Sequence, residues 1–128
     1  GGGKKIIAKQ YIDYLLMKHY NIKKVQLRLD TQVIHCKAQS KEGDFEILKN
    51  NHYYVIDMEK LGKRLTLFFN VFFDNIIQTV NIHSKFPNIF LIENLYFPNY
   101  QLVQKFNNYL EKFPDKCRFI CICNKITW

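Results

Sequence analysis

The stretches IFLIEN (89–94) and CRFICICN (117–124) decide the fold. Each holds a continuous apolar run of strand length, Ile89–Ile92 and Phe119–Cys123, that stops at a polar residue, Glu93 in the first case and Asn124 in the second. A strand without alternation has no face to offer to water, so both of its sides must be covered, which is the usual condition of a parallel sheet packed between helices. Between the two runs, the segment after Pro98 and Asn99 carries Leu102, Val103, Phe106, Tyr109 and Leu110 at helical spacing and ends near Pro114.

The rest of the chain extends the pattern. Lys4 to Tyr20 reads as a helix, with Ile7, Tyr11 and Leu15 at i, i+4, i+8 and Ala8, Ile12 and Leu16 beside them. VQLRL (25–29) alternates and TQVIHCK continues it, predicting a strand pair or one long strand, and AQSKEGD (38–44) reads as a loop. HYYVIDM (52–58) reads as a β segment closed by Gly62. RLTLFFNVFFDNIIQTV (64–80) is a wide apolar stripe at helical period. The order helix, strands, helix, strand, helix, strand predicts an α/β fold, a three-layer sandwich with a parallel sheet.

At 128 residues, 48% of them hydrophobic and 16% aromatic, the chain is one domain or part of one, and an ordered fold is expected. No apolar run reaches membrane-span length and no secretory h-region opens the chain, so the expected setting is intracellular, with no membrane partner. The net charge of +8 suits a polyanion such as nucleic acid or nucleotide, but the lysines are spread evenly, and only Arg28, Arg64 and Arg118 carry guanidinium groups. Such a distribution also describes a merely solvated surface. Cys36, Cys117, Cys121 and Cys123 lack the C-x-x-C or nearby His of a zinc set and read as reduced structural thiols, so no metal site is expected from them.

Catalytic groups in parallel α/β folds collect where strands end, because the loops there open into a crevice. Glu93 and Asn124 occupy two such ends, a carboxylate able to orient water or hold a metal and an amide able to touch a terminal phosphate. At the other extreme stands GGGKK (1–5), before a helix. It reads either as the back half of a phosphate loop or as a flexible N-terminal scar. A phosphate loop needs glycines so that N–H groups converge on the anion, a lysine for charge, and a helix N-terminus. Gly1, Gly3 and Lys4 fit the end of G-x-x-x-x-G-K-[ST], with Lys5 where Ser or Thr would carry magnesium.

Taken together, these residues resemble the nucleotide-binding domain of a replication factor C small subunit, a clamp-loader member of the AAA+ ATPases. One eukaryotic subunit has a Walker A motif reading G-x-G-K-K-T, similar to Gly3-Lys4-Lys5 here. NHYYVIDMEKLG (51–62) resembles the family's N-Y-H-L-E-V-N-P-S-D-A-G, with Gly62 in register. FLIENLYF…LEKFPDKCRFICICN resembles its L-L-T-E-V-D-K-L…M-E-K-Y-x-x-x-C-R-L-I-L-C-C-N in order and spacing.

The resemblance covers nearly the whole chain and implies a P-loop NTPase fold of AAA+ type, a partial domain over 1–128 whose first strand and lid are missing. It implies Lys4 as the phosphate-binding lysine, with Gly1, Gly3, Lys5 and Asn124 also on the nucleotide, Glu93 as the Walker B glutamate, and ATP with Mg as cofactors held weakly or not at all. Ile92 stands where an aspartate would support magnesium, and Asn107 and Asn108 replace the paired arginines of the family's A-L-R-R helix.

The implied role is DNA replication, in the nucleus or at a viral replication site. The implied partners are other loader subunits, a sliding clamp, and primer-template DNA through the assembled complex. NLYFPNY (94–100) is the expected partner surface, through Leu95, Tyr96, Phe97 and Tyr100. Two alternatives stay open: an active ATPase whose missing parts lie outside this sequence, and a non-catalytic interaction protein that keeps the α/β scaffold.

Overall fold

A computed structural model describes residues 2–75, 88–97, 99–112 and 117–122. Helix α1 (Gly2–Tyr20) leads through a short 3-10 turn (Lys24–Leu27) into strands β1 (Asp30–Ala38), β2 (Lys41–Lys49) and β3 (Tyr53–Asp57). Helix α2 (Met58–Leu61) and helix α3 (Leu65–Phe68), the latter widening into a π-turn over Phe69–Phe73, come next. Strand β4 (Asn88–Glu93), helix α4 (Tyr100–Lys112) and strand β5 (Cys117–Ile122) complete the order. The fold is α/β, and among the described residues five strands form one sheet in the order β1-β2-β3-β4-β5. Among the described residues no helix is long and apolar enough to cross a membrane.

The sheet is mixed, which corrects the expectation of a parallel one. β3, β4 and β5 are parallel, with Asp57 beside Glu93 and Glu93 beside Ile122. β1 and β2 form an antiparallel hairpin that joins β3 through only Leu48↔Val55 and Lys49↔Tyr54. The stretch read as a loop, 38–44, is the hairpin's turn and the start of β2: Gln39 takes φ +56, and Gly43, Phe45 and Ile47 face inward. Charged residues on the outward positions, Glu42, Asp44 and Glu46, gave this strand its loop-like composition. Val25 to Leu29, read as a strand, begins in the 3-10 turn instead.

Each face of the parallel strands has its own coat. On one side Ile12 and Leu16 of α1, with Ile22 and Leu27, cover Tyr53, Val55, Leu91 and Ile122. On the other, Phe68, Phe69, Phe72 and Phe73, with Leu102, Phe106 and Tyr109 of α4, cover Ile56, Phe90 and Ile92 and reach Cys36, Phe45 and Ile47 of the hairpin. Phe68 meets Phe45 edge-on at 5.2 Å and stacks on Phe72 at 4.7 Å, while Phe73 packs against Phe90 at 5.2 Å. A ring so placed belongs to both the hairpin and the sheet. Phe68→Ala is expected to cost about 3–5 kcal/mol, read as a lower denaturant midpoint at unchanged slope.

Two polar clips fasten the layers. Tyr53 is fully buried, and its hydroxyl donates to Asp13 Oδ1 at 2.8 Å, while Lys9 Nζ donates to Asp13 Oδ2 at 2.7 Å. On the far side, Asp74 accepts from the Tyr109 hydroxyl and from Lys105 Nζ at 3.0 Å, and Lys105 also donates to Asn70 at 2.7 Å. The turn into β3 is held by Asn50, whose Oδ1 accepts from the N–H groups of His52 and Tyr53, both at 2.8 Å. Of the thiols, Cys36 is buried, as a structural cysteine should be. Cys121 is exposed, contrary to its expected burial, because β5 is the outermost strand of the described sheet; Cys123 lies outside the described residues.

Burial pushes the Tyr53 phenol up, Lys9 opposes this and Asp13 adds to it, with a net value of about 12 against an ordinary 10.0. The folded chain therefore keeps a proton that the unfolded chain loses, and stability falls as pH rises from 10 toward 12. For Lys9, burial favours the neutral amine, but the bonds to Asp13 and Tyr53 outweigh it and hold the ammonium above its ordinary value, which acts in the same direction. Thermal melts across this alkaline range should slope less steeply in Tyr53→Phe than in the parent chain.

Candidate nucleotide-binding site

The carboxyl ends of β3, β4 and β5 lie level, which brings Asp57, Glu93 and the end of β5 at Ile122 to one rim of the sheet. Asp57 is half-buried, and its Oδ1 accepts from the backbone N–H of Glu59 at 3.0 Å, capping α2, and from Asn94 Nδ2 at 2.9 Å. Asn94 sits at φ +55, a left-handed conformation that Asn tolerates better than most residues, and this turn lifts the chain off β4 immediately after Glu93. The Leu95 N–H then donates back to the Ile122 carbonyl at 3.1 Å, so the loop crosses the end of β5. Glu93 is half-buried at the centre of this rim.

Helix α1 runs opposite to the parallel strands. Its last turn, His19 and Tyr20, lines a cavity of about 320 Å³ with Ile89, Arg118 and Ile120 near the beginnings of β4 and β5. A 19-residue helix spans ~28 Å and a six-residue strand ~20 Å, so the first turn of α1 reaches toward the rim that carries Glu93 and Asp57. Gly2, Gly3, Lys4 and Lys5 are that first turn, helical rather than looped; Gly1 lies outside the described residues. The opening N–H groups of a helix have no intrahelical acceptor and point out of its end, where the dipole favours an anion. Asn124 also lies outside the described residues, two positions past the end of β5.

The four residues expected to meet a partner divide into two pairs. Leu95 and Phe97 pack on the α3–α4 side of the core, with the Phe97 ring 5.4 Å from Phe106 and 6.2 Å from Phe69. Tyr96 and Tyr100 are 63% and 72% exposed. The backbone explains the division: the Tyr96 N–H is fixed on Met58 Sδ at 3.2 Å, and Asn99 caps α4 by accepting from the Leu102 N–H at 3.0 Å. Sequence reasoning missed Asp57 and Asn94. The available signal was a carboxylate closing the apolar run YYVI, the same pattern that drew attention to Glu93.

Among the described residues no group of three or more His, Cys, Asp or Glu side chains could hold a metal ion. Asp57 and Glu93 are nonetheless hard oxygen donors, the type that holds magnesium jointly with phosphates, whereas the buried Ile92 side chain offers nothing to a cation. No family model matches the chain, and no curated protein matches it. The two tyrosine and phenylalanine neighbours give a direct check on the rim. Phe97→Ala should lower stability by about 1–3 kcal/mol through lost packing, while Tyr96→Ala should stay within about 0.5 kcal/mol, both read by chemical denaturation.

Proposed function

We propose that the chain is a clamp-loader-like AAA+ module of DNA replication, in which an incomplete P-loop NTPase site serves assembly more than turnover. The observations that support this reading are the level carboxyl ends of three adjacent parallel strands, which set Asp57 beside Glu93, and a helix α1 that runs opposite to those strands. A triphosphate needs N–H donors and cations together with carboxylates for a hydrated magnesium, and these are the residue types that the sequence supplies. Lys4 and the helix N-terminus would take the phosphates, with Gly1, Gly3, Lys5 and Asn124 around them. Glu93 would orient water, held in place by the turn at Asn94. Bound magnesium would neutralise phosphate charge, and Asp57 and Glu93 are the groups suited to hold it.

Ile92 and Lys5 in place of magnesium-supporting side chains predict that this chain alone shows no measurable steady-state ATP hydrolysis. Its partners would be neighbouring loader subunits, a sliding clamp and, through the assembled complex, primer-template DNA, in the nucleus or at a viral replication site. Tyr96 and Tyr100 supply the exposed anchors for such contacts, since aromatic rings dominate interface energetics.

The test measures binding of the chain to the sliding clamp and loader subunits of its own source, alongside hydrolysis. Tyr96→Ala with Tyr100→Ala is expected to weaken binding by roughly tenfold or more at unchanged melting temperature. Turnover abolished in both Lys4→Ala and Glu93→Gln would instead establish a working ATPase. Absence of binding to every loader subunit and clamp would remove the reading altogether.

A further inference from the structure

We propose that the outward half of α1 docks the protein on an anionic lipid surface, with Ile6, Ile7, Tyr11, Tyr14 and Met17 entering the headgroup layer and basic residues bordering them. Helix α1 is apolar on both of its sides. Ile12 and Leu16 are buried against the sheet. At about 100° per residue Tyr14 stands diametrically opposite their midpoint, and Ile7 lies within ~20° of Tyr14. Ile6 and Met17 extend this outer face on one flank, and Tyr11 extends it on the other. Ile6, Ile7, Tyr11 and Tyr14 are 56–66% exposed, and Met17 is 41% exposed. A helix that is apolar all round is normally buried all round, yet α1 leaves these five side chains in water.

Charge points to what covers them. Asp13 is the sole carboxylate of α1, and it is turned to the sheet, accepting from Tyr53 and Lys9. The outer face therefore carries no acidic side chain; its charged member is Lys18, whose ammonium lies 5.6 Å from the centre of the Tyr14 ring. From Tyr14 to Leu29 no Asp or Glu occurs, while Lys18, Lys23, Lys24 and Arg28 are all exposed. Apolar side chains and tyrosines bordered by cations suit the boundary between acyl chains and anionic headgroups. There the rings and lysine stems lie in the apolar layer while their polar tips stay wet.

The geometry favours a lipid surface over a macromolecular partner. At ~180 Å² for a full side chain, the five residues offer roughly 500 Å², short of the ~800 Å² that each partner gives to a standard interface. A second copy would also bring a like charge of +8. A protein groove that takes up a helix closes round much of it, but α1 is held flat on the sheet through Ile12 and Leu16 and offers one side only. A single-stranded nucleic acid stacks its bases on rings and would leave Ile6, Ile7 and Met17 unused. A bilayer surface sets no minimum area, and it receives one face of a helix lying flat to a depth of ~5–10 Å.

Co-sedimentation of the 128-residue chain with large unilamellar vesicles tests the proposal. Phosphatidylcholine vesicles with roughly one-quarter phosphatidylserine are expected to bind about tenfold more tightly than phosphatidylcholine alone, and less tightly as salt rises. Ile7→Gln with Tyr14→Gln should lower the partition coefficient by roughly a hundredfold, and Lys18→Glu should lower it by roughly tenfold. Both variants should keep the parent melting temperature by circular dichroism, since all three positions are exposed.

No binding at millimolar lipid overturns the proposal. Binding that the glutamine pair leaves unchanged does so too, because it would then be adhesion of a +8 chain at large rather than the work of this face. So does a parent chain that self-associates without lipid and loses that association in the glutamine pair, which would give the face to a second copy. Nucleotide and clamp binding are read in separate assays, and Ile7, Tyr14 and Lys18 take part in neither.

Discussion

Three consecutive side chains, Phe90, Leu91 and Ile92, are all buried in β4. Because successive residues of a strand face opposite ways, this fact alone demands a coat on each side, and the rest of the molecule is arranged to supply them. α1 with Ile12 and Leu16 forms one coat; the phenylalanine ladder of α3 and its π-turn, with α4, forms the other. The two coats are chemically unequal. The α1 side is aliphatic with a single buried tyrosine, whereas the opposite side is dominated by rings stacked and tilted at centroid distances of about 4.7–6.4 Å. A ring ladder fills a wide gap with few side chains, and it holds the hairpin, which the sheet itself grips at only two positions.

The thinner coat is fixed by charge rather than area. Asp13 joins Lys9 and Tyr53, so that a carboxylate on α1 reaches a phenol on β3 and sets both the rotation and the height of the helix. At the carboxyl rim Asp57 performs two tasks with one oxygen, capping α2 and holding Asn94, and so ties the end of β3 to the turn that follows Glu93. The shape of the rim thus depends on a turn geometry, φ +55 at Asn94, that few other residues adopt.

Much of this was legible in the residues, and the parts that were not have identifiable causes. IFLI and FICI have no alternation, so their burial on both faces could be read directly, and α1, β3 and α4 followed from period and from caps such as Asn99. The first strand of the hairpin was legible in TQVIHCK, but the second escaped because its outer positions carry Glu42, Asp44 and Glu46, and a strand with one wet face and several charges resembles a loop in composition. Val25 to Leu29 alternates as a strand does, but its backbone turns first in a 3-10 segment before extending. For the candidate site, Glu93 and Lys4 stood out in the sequence only as residue types at a strand end and a helix start. Asp57 and Asn94 did not, because their part is set by a hydrogen bond between residues far apart in sequence. The exposure of Tyr96 and partial burial of Phe97, adjacent aromatic residues, were equally beyond reach, since the direction of the turn after Asn94 decides which ring faces the core.

The slender join between the hairpin and the sheet also bears on how the chain reaches this structure. β1 and β2 are linked by a two-residue turn at Gln39 and Ser40 and pair along their full length, so they can zip locally, on the microsecond scale typical of hairpins. β3, β4 and β5 are separated in sequence by helices and must close long loops before a single bond between them forms, as in Tyr53 against Ile89. The molecule therefore contains a fast-forming module and a slow one, with Phe45 and Phe68 as the place where the early piece waits for the late one. A hairpin formed alone would leave Cys36, Phe45 and Ile47 open to water, so its stability depends on the phenylalanine ladder that covers them.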